Sequence, residues 1–189
     1  MVLAAGTEEV AIARGRLREI IQQRALVLAE PKKEFTLASG ERSRFCFNMK
    51  KVTMERDSAG LIVTCILPIL PAGVDQVGGL DTGAVPIIEA LVIHPAGPRH
   101  GFFVRKREKE HGLKEKIEGN FDPEQASIIV DDVTTTGDSV MEAIRAVQGL
   151  GGKISMVVAV VNRESGGSAR IQQLGIPYRA VFSLSDFKI

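Results

Sequence analysis

The stretch at residues 126–140 constrains the fold of this chain more than any other. It begins with a short run of β-branched residues, which predicts a buried strand. The adjacent carboxylates Asp131 and Asp132 end that run, and a turn rich in hydroxyl groups follows. Apolar residues then recur at helical spacing, at Val140, Ala143, Ile144 and Val147.

A strand, a hydroxyl-rich turn and a helix N-terminus together predict a phosphate-binding site. The first N–H groups of a helix lack internal partners and carry the positive end of its dipole. Gly137 allows the backbone to approach a ligand closely. No lysine follows Gly137, so this is not a P-loop. The hydroxyl donors around the turn are Thr134, Thr135, Thr136 and Ser139.

The acidic pair indicates what else the ligand carries. Two carboxylates beside a phosphate would repel it unless they contact other groups. Ribose hydroxyls, which donate hydrogen bonds, and a magnesium ion held through ligand oxygens both fit. The alternative is a capped strand-to-helix turn with Asp138 or Ser139 as the N-cap, which leaves Asp131 and Asp132 unexplained.

Residues 130–139 resemble the phosphoribosyl diphosphate signature of type I phosphoribosyltransferases. The resemblance implies that the turn holds the 5-phosphate and that the acids hold the ribose hydroxyls and favour positive charge on the reacting ring. Magnesium (Mg2+) would be held through the substrate near the acids, with no direct protein ligand assigned. The implied contacts to phosphoribosyl diphosphate are Asp131, Asp132, Val133, Thr134, Thr135, Thr136, Gly137, Asp138 and Ser139.

Residues 105–119 are almost wholly charged, a composition typical of a mobile, solvated surface segment. The order of the residues resembles the catalytic loop of orotate phosphoribosyltransferases. The resemblance implies that Arg105, Lys106, Lys109 and His111 contact the diphosphate, with Lys109 and His111 assisting catalysis. In that family the loop closes over the active site of the other subunit of a homodimer. Cations that arrive on closure would stabilise the charge of the leaving diphosphate.

Residues 35–48 predict a hairpin with its turn at Ser39 and Gly40. The segment is similar to the one that forms a hood over the pyrimidine in orotate phosphoribosyltransferases, which implies that Cys46 and Phe47 flank the base. Packing of the hairpin phenylalanines into the core explains the pattern equally well. Many family members carry a diphosphate-contacting lysine where this chain has Ala38, and Lys50 and Lys51 are nearby substitutes.

A second predicted strand, at 74–77, leads into a glycine-rich loop at 78–83 and a helix from Val85. Such a loop can bring main-chain N–H groups against an anion. In the family it holds the diphosphate, in some members through a tyrosine and a lysine. Thr82 and Gly83 stand at those places here.

Arg163 follows the β-rich run at 153–161, at the edge of the sheet where α/β proteins bind ligands. The resemblance implies that Arg163 binds the orotate carboxylate, which suits a planar bidentate donor. Thr135 and Phe47 are the other implied orotate contacts. The alternative is a rim arginine paired with Glu164.

The remaining elements carry no predicted chemistry. A helix from Thr7 is ended by Pro31, and a second helix at 58–71 is disturbed near Pro68. Strands are expected at 101–104 and 178–183, with a short helix at 168–174.

The order of the elements from 74 onward predicts an α/β fold with a mainly parallel sheet and helices on both faces. The resemblance implies the type I phosphoribosyltransferase fold in one domain, with a small N-terminal hood at roughly 1–57 and a core at roughly 58–189. It also implies magnesium-dependent transfer of ribose 5-phosphate to N1 of orotate, a step of pyrimidine synthesis. The alternatives are a phosphoribosyltransferase for another base, such as a purine, or a non-catalytic sensor of phosphoribosyl diphosphate.

Composition narrows the partners. A formal charge of +1 over 189 residues does not favour general nucleic-acid binding. Cys46 and Cys65 have no metal-site spacing and fit a reducing compartment. The most apolar stretch is too short to span a bilayer. We therefore expect a soluble, cytoplasmic protein with no nucleic-acid or membrane partner.

Overall fold

The computed structural model of the protein describes residues 6–36, 40, 42–106 and 116–189. Its helices are α1 Thr7–Ile20, α2 Lys50–Thr53, α3 Arg56–Ile66, α4 Val85–Ile93, α5 Asp138–Gly149 and α6 Gly167–Gln172. Its strands are β1 Leu26–Leu28, β2 Phe35–Thr36, β3 Arg42–Ser43, β4 Phe45–Phe47, β5 Gln76–Gly78, β6 His100–Val104, β7 Ile117–Gly119, β8 Ala126–Thr134, β9 Lys153–Asn162 and β10 Tyr178–Ser183.

A six-stranded sheet has the order β10-β9-β8-β5-β6-β7. All neighbours in it are parallel except β6 and β7, which are antiparallel. The predicted α/β fold with a mainly parallel sheet is therefore confirmed. From β5 the chain adds β6 on one side and β8 on the other, which creates a switch point between β5 and β8. Ligands of such sheets bind beyond the carboxyl ends of the strands at that point.

Strand β8 is buried on both faces, as its sequence predicts. Ile128 and Val130 pack into the core that includes α1, α3 and α4, whereas Ile129 packs into the core beneath α5. The apolar face of α5 is buried at all four of the positions expected from its spacing. Helices thus cover both sides of the sheet, and β8 is held rigidly between them.

Strand β8 also extends beyond its predicted end. The sequence predicts that Asp131 and Asp132 end the strand, but pairing with β9 continues as far as Thr134, which lies opposite Asn162. The acids are therefore held by the ladder rather than by a loop. This difference matters for the site, because backbone pairing fixes where each side chain points.

The N-terminal region differs from its prediction in two places. Helix α1 passes into one π-helical turn at Ile21–Ala25, and β1 follows, so the helix ends well before Pro31. The predicted hairpin exists as β2 and β3, but β4 pairs with β1 instead. The β1–β4 ladder brings Phe47 against the core, which explains why this pairing replaces a longer hairpin.

Two further expectations are confirmed. Helix α3 passes into a 3-10 turn at Leu67–Ile69, where Pro68 lies. The closing strand β10 has the predicted bounds. In the part of the chain that is described, no helix combines the length and the apolar character needed to cross a membrane.

Candidate active site

A cavity of about 170 Å³ opens at the carboxyl end of β8, beside the switch point. It brings together most of the residues that the sequence singles out. Its lining residues are Leu80, Lys106, Asp131, Val133, Thr135, Thr136, Gly137, Asp138, Ser139 and Glu142.

The turn between β8 and α5 has the geometry of an anion site. Gly137 is the N-cap of α5 and has a left-handed conformation, with φ of 82°. The alternative interpretation required Asp138 or Ser139 to be the N-cap, and neither residue is. Because glycine has no side chain to cap the helix, the N–H groups of the first turn remain available to a ligand in the cavity.

Thr134 is used differently from its neighbours Thr135 and Thr136. Its side chain is buried, and Oγ1 donates a hydrogen bond to Asp131 Oδ2 at 2.9 Å. Its carbonyl oxygen accepts a hydrogen bond from the Arg163 N–H at 2.9 Å. Thr134 therefore positions Asp131 and the backbone of Arg163. The sequence predicts that its hydroxyl faces the phosphate, but Thr134 is not among the residues that line the cavity.

Burial controls the charge of the acidic pair. Burial raises the pKa of Asp131 to about 7, the charge of Asp132 acts in the same direction, and the hydrogen bond from Thr134 opposes both. Burial also raises the pKa of Asp132, opposed by the Val133 N–H and by the charge of Lys50. Without a ligand, burial therefore favours the protonated form of each acid. Ribose hydroxyls or a cation would stabilise the fully ionised form.

The glycine-rich loop after β5 lies directly against β8. A Cβ atom at Gly79 would lie 2.5 Å from the carbonyl oxygen of Val130, and one at Gly83 would lie 2.7 Å from Asp132 Oδ1. A lysine at position 83 would require the Asp132 carboxylate to move. The loop also accepts a hydrogen bond from the charged segment, because Asp81 Oδ1 binds the Lys106 N–H at 2.8 Å.

The base of the charged segment is part of the sheet. Ile117 is buried in β7, and Arg105 Nη1 donates to Glu118 Oε1 at 2.5 Å. The prediction that all of 105–119 is a surface excursion is therefore wrong at both ends, where pairing with β6 fixes the chain. Lys106 reaches the cavity. Lys109 and His111 lie outside the described residues, as does Ala38.

Arg163 lies at the end of β9 and is buried, with 5% of its surface exposed. Its Nη2 donates to Ser43 Oγ at 3.0 Å, and its Cζ lies 4.4 Å from the centre of the Phe45 ring. This burial does not fit the alternative of a rim arginine paired with Glu164. A buried guanidinium held by a hydroxyl group and an aromatic face is pre-organised to bind an anionic ligand.

Sequence reasoning missed Ser43 and Phe45 as partners of Arg163. Phe47, which it selected, packs instead on Phe187 with ring centres 5.2 Å apart. Cys46, which lies between Phe45 and Phe47 along the chain, is partly buried. The alternation of Ser43, Phe45 and Phe47 along the chain was the available signal, but it does not reveal which of these residues faces Arg163.

The oxygen atoms of Asp131 and Asp132 decide which metal ion this part of the site could accept. Within the described ranges, no group of three or more His, Cys, Asp or Glu residues is arranged to hold a metal. The two carboxylates of Asp131 and Asp132 fit Mg2+, which commonly takes one or two carboxylates and completes its shell with substrate oxygens and water.

Known proteins resemble this chain over nearly its whole length. A curated orotate phosphoribosyltransferase from Bradyrhizobium sp. (strain BTAi1) is 38% identical over 186 residues, covering 93% of this chain and 97% of the relative. The crystal structure of Mycobacterium tuberculosis H37Rv orotate phosphoribosyltransferase in complex with Fe(III) dicitrate has a TM-score of 0.79 at 32% identity, covering 92% of this chain and 98% of that one. The same enzyme in complex with 5-phospho-alpha-D-ribosyl 1-diphosphate has a TM-score of 0.75 at 27% identity, covering 96% and 92%. No protein-family model matches the chain.

Proposed function

The chain belongs to the orotate phosphoribosyltransferase family, and on that premise we propose that it transfers ribose 5-phosphate from phosphoribosyl diphosphate to N1 of orotate. The products are orotidine 5′-monophosphate and diphosphate. The observation that carries the proposal is the link through Thr134, which joins Asp131 by its hydroxyl and Arg163 by its carbonyl. One residue thereby connects the acids suited to the sugar with the cation suited to the base.

Phosphoribosyl diphosphate binds with its 5-phosphate at the N-terminus of α5. The backbone of Gly137 and the residues after it supply N–H donors, and Thr135 and Ser139 supply hydroxyl groups. Thr136 lines the same cavity, and its hydroxyl donates to Asp138 Oδ2. Asp131 and Asp132 accept hydrogen bonds from the ribose hydroxyls. The ligand-bound acids are ionised, because donors and cations lower the pKa that burial had raised.

The transfer step breaks the bond between the anomeric carbon of the ribose and the diphosphate, and forms the bond to N1 of orotate. The proton on N1 is released, and the departing diphosphate or water accepts it. As the diphosphate leaves, positive charge develops on the ring, and the nearby carboxylates stabilise it. Lys106 at the cavity supplies positive charge on the side where the diphosphate leaves. Lys109 and His111, carried by the segment that follows, assist when that segment closes.

Mg2+ is the cofactor we propose. When bound, it neutralises charge on the diphosphate and so makes that group a better leaving group. The ion would be held through oxygens of the substrate, near Asp131 and Asp132. Removal of divalent cations with EDTA should abolish turnover, and added Mg2+ should restore it.

Orotate is the proposed base because Arg163 suits a carboxylate. Its guanidinium is buried and fixed by Ser43 and Phe45, and its backbone N–H binds the carbonyl oxygen of Thr134, close after the sugar acids in β8. A purine has no carboxylate to match this cation, which disfavours the first alternative. A non-catalytic sensor would not need the charged segment that begins at Arg105, which disfavours the second.

The direct test follows the loss of orotate absorbance on incubation with orotate, phosphoribosyl diphosphate and Mg2+. Adenine and hypoxanthine in place of orotate are the controls for base identity. Of the three bases, we expect only orotate to be turned over. Turnover of a purine would overturn the assignment, and so would a failure to turn over any of the three bases. Lys109→Ala should lower kcat by a factor equivalent to about 2 kcal/mol or more of transition-state stabilisation, and should change KM little.

We also propose a homodimer in the cytoplasm, with each charged segment closing over the partner's site. The free thiols of Cys46 and Cys65 support a reducing compartment. The hood (1–57) and core (58–189) are proposed to form one domain, since α1 packs on α3 and Arg14 Nε donates to the Val181 carbonyl at 3.1 Å. Sedimentation of the protein, and complementation between inactive Lys109→Ala and Asp131→Asn subunits, would test the shared site.

A further inference from the structure

One acidic side chain stands within the phosphate-binding turn itself. Asp138 is the first residue of α5 and lines the cavity beside Gly137. Its backbone lies where a phosphate would bind, so its carboxylate would repel the ligand if it were free to turn toward the cavity. Unlike the pair Asp131 and Asp132, it is largely exposed, with 63% of its side chain accessible. No role in holding a ribose accounts for it.

Both oxygens of this carboxylate are engaged on the side of α6. Arg170 Nη1 donates to Asp138 Oδ1 at 2.6 Å, and Thr136 Oγ1 donates to Asp138 Oδ2 at 2.8 Å. The same Arg170 nitrogen also donates to the Thr136 carbonyl at 3.2 Å. The hydrogen bond from Arg170, and then that from Thr136, lower the pKa of Asp138, so it stays ionised at neutral pH.

Arg170 comes from an element that is fixed against the turn. The Gly167 N–H donates to the Thr135 carbonyl at 3.0 Å. A Cβ atom at Gly137 would lie 3.1 Å from the Cα of Gly167, so the two backbones are in close contact. Backbone packing therefore sets the position of Arg170 relative to the turn. The long Arg170 side chain thus starts close to Asp138.

We propose that Arg170 is a positioning residue for phosphoribosyl diphosphate, holding the Asp138 carboxylate away from the 5-phosphate and cancelling its charge. This inference rests on the proposed function, since it assigns the turn to the 5-phosphate. In this arrangement Asp138 contributes its backbone N–H to the ligand, and its side chain belongs to the ion pair.

A double-mutant cycle separates this role from direct attraction of the phosphate by Arg170. Arg170→Ala should raise KM for phosphoribosyl diphosphate about five- to tenfold, the size of one uncompensated charge near the surface. KM for orotate and kcat should change less than twofold. In the Asp138→Asn background no carboxylate charge is left to cancel, so the Asp138→Asn/Arg170→Ala double variant should bind phosphoribosyl diphosphate better than Arg170→Ala and within twofold of Asp138→Asn itself. Arg170→Lys, which keeps the charge, should recover part of the loss.

The control variant is Arg179→Ala, which removes the same charge from an exposed position on β10. Calorimetric titration of each variant with phosphoribosyl diphosphate and Mg2+, without orotate, gives a readout that does not depend on turnover. Thermal unfolding of each variant identifies loss of fold.

Three results would overturn the inference: unchanged affinity in Arg170→Ala, a double variant no better than Arg170→Ala, or an equal loss in Arg179→Ala. A wild-type protein that binds phosphoribosyl diphosphate but does not consume orotate would contradict the proposed function and leave this inference standing.

Discussion

Gly83 lies directly against Asp132: a Cβ atom at position 83 would be 2.7 Å from Asp132 Oδ1. This contact is closer than side chains tolerate, and the Asp132 carboxylate is the group that can yield. We expect Gly83→Ala to displace that carboxylate and to lower kcat/KM at least tenfold, about 1.4 kcal/mol. The midpoint of thermal unfolding should shift by only a few degrees.

Gly60→Ala is the matched control for this change. Gly60 lies on α3, and a Cβ atom there meets nothing within 4 Å. This substitution should stabilise the helix by roughly 0.5–1 kcal/mol and leave steady-state kinetics unchanged. Wild-type kcat/KM in Gly83→Ala would mean that Asp132 does not need its observed position.

Thr134→Val tests the hydroxyl that holds Asp131. Valine has nearly the same shape but cannot donate to Asp131 Oδ2, so the buried carboxylate loses a donor that favours its charged form. The pKa of Asp131 should rise further. We expect kcat/KM at pH 8 to fall by a factor equivalent to about 1–2 kcal/mol. The acidic limb of the pH profile of kcat/KM should move to higher pH. KM for orotate should be unchanged, because the Thr134 carbonyl still binds Arg163.

Thr134→Ser restores the hydroxyl and should recover most of the activity. A pH profile of Thr134→Val that overlays the wild type would show that the hydrogen bond has no part in catalysis.

Asp131→Asn should stabilise the protein without ligand, by an amount that grows as pH rises from 4 to 7 and is largest above 7. The folded pKa of Asp131, about 7, is above its ordinary value of 3.8, so the folded state binds the proton more tightly. That contribution is fully present below pH 4 and is lost as pH rises through 7. The neutral variant avoids the loss. Its unfolding free energy at pH 8 should exceed that of the wild type by roughly 1 kcal/mol or more.

Chemical denaturation from pH 5 to pH 8 measures this difference, which should grow with pH. Glu124→Gln changes an exposed carboxylate and should show no such trend. A stability gain of the same size at pH 5 and pH 8 would contradict the assignment of the proton to Asp131.

Ser43→Ala tests the support of Arg163. Its Nη2 would lose the hydrogen bond to Ser43 Oγ, and the buried guanidinium would be held less firmly. We expect KM for orotate to rise about five- to thirtyfold, equivalent to about 1–2 kcal/mol, with KM for phosphoribosyl diphosphate within twofold of the wild type. Phe45→Leu, which removes the ring under the guanidinium, should act in the same direction. Equal effects on both substrates would indicate general disruption of the hood.

The central segment could be predicted because its signals are local. The β-branched run before Asp131 and the helical spacing after Gly137 each depend on neighbouring residues, and both elements form as expected. Strand β7 could not be predicted in this way. Ile117 is an isolated apolar residue in a charged run, and the strand exists because an edge of the sheet is available to pair with it.

The roles of individual site residues depended on distant contacts. Arg163 is 120 residues from Ser43 along the chain, and Arg170 is 32 residues from Asp138. No local pattern reports such pairs. The role of Thr134 was missed for a related reason, because the orientation of its hydroxyl depends on where β8 ends, and that is decided by pairing with β9.

The hydrogen bond between the Arg163 N–H and the Thr134 carbonyl has an evolutionary consequence. Adjacent strands are about 4.8 Å apart whatever side chains they carry. On the proposed assignment of Arg163 to the base and of Asp131 and Asp132 to the ribose, the spacing between base selection and sugar binding is therefore inherited from the sheet. A substitution at the end of β9 can change the accepted nucleobase while the sugar-phosphate machinery on β8 remains intact, so one scaffold can diversify its specificity in single mutational steps.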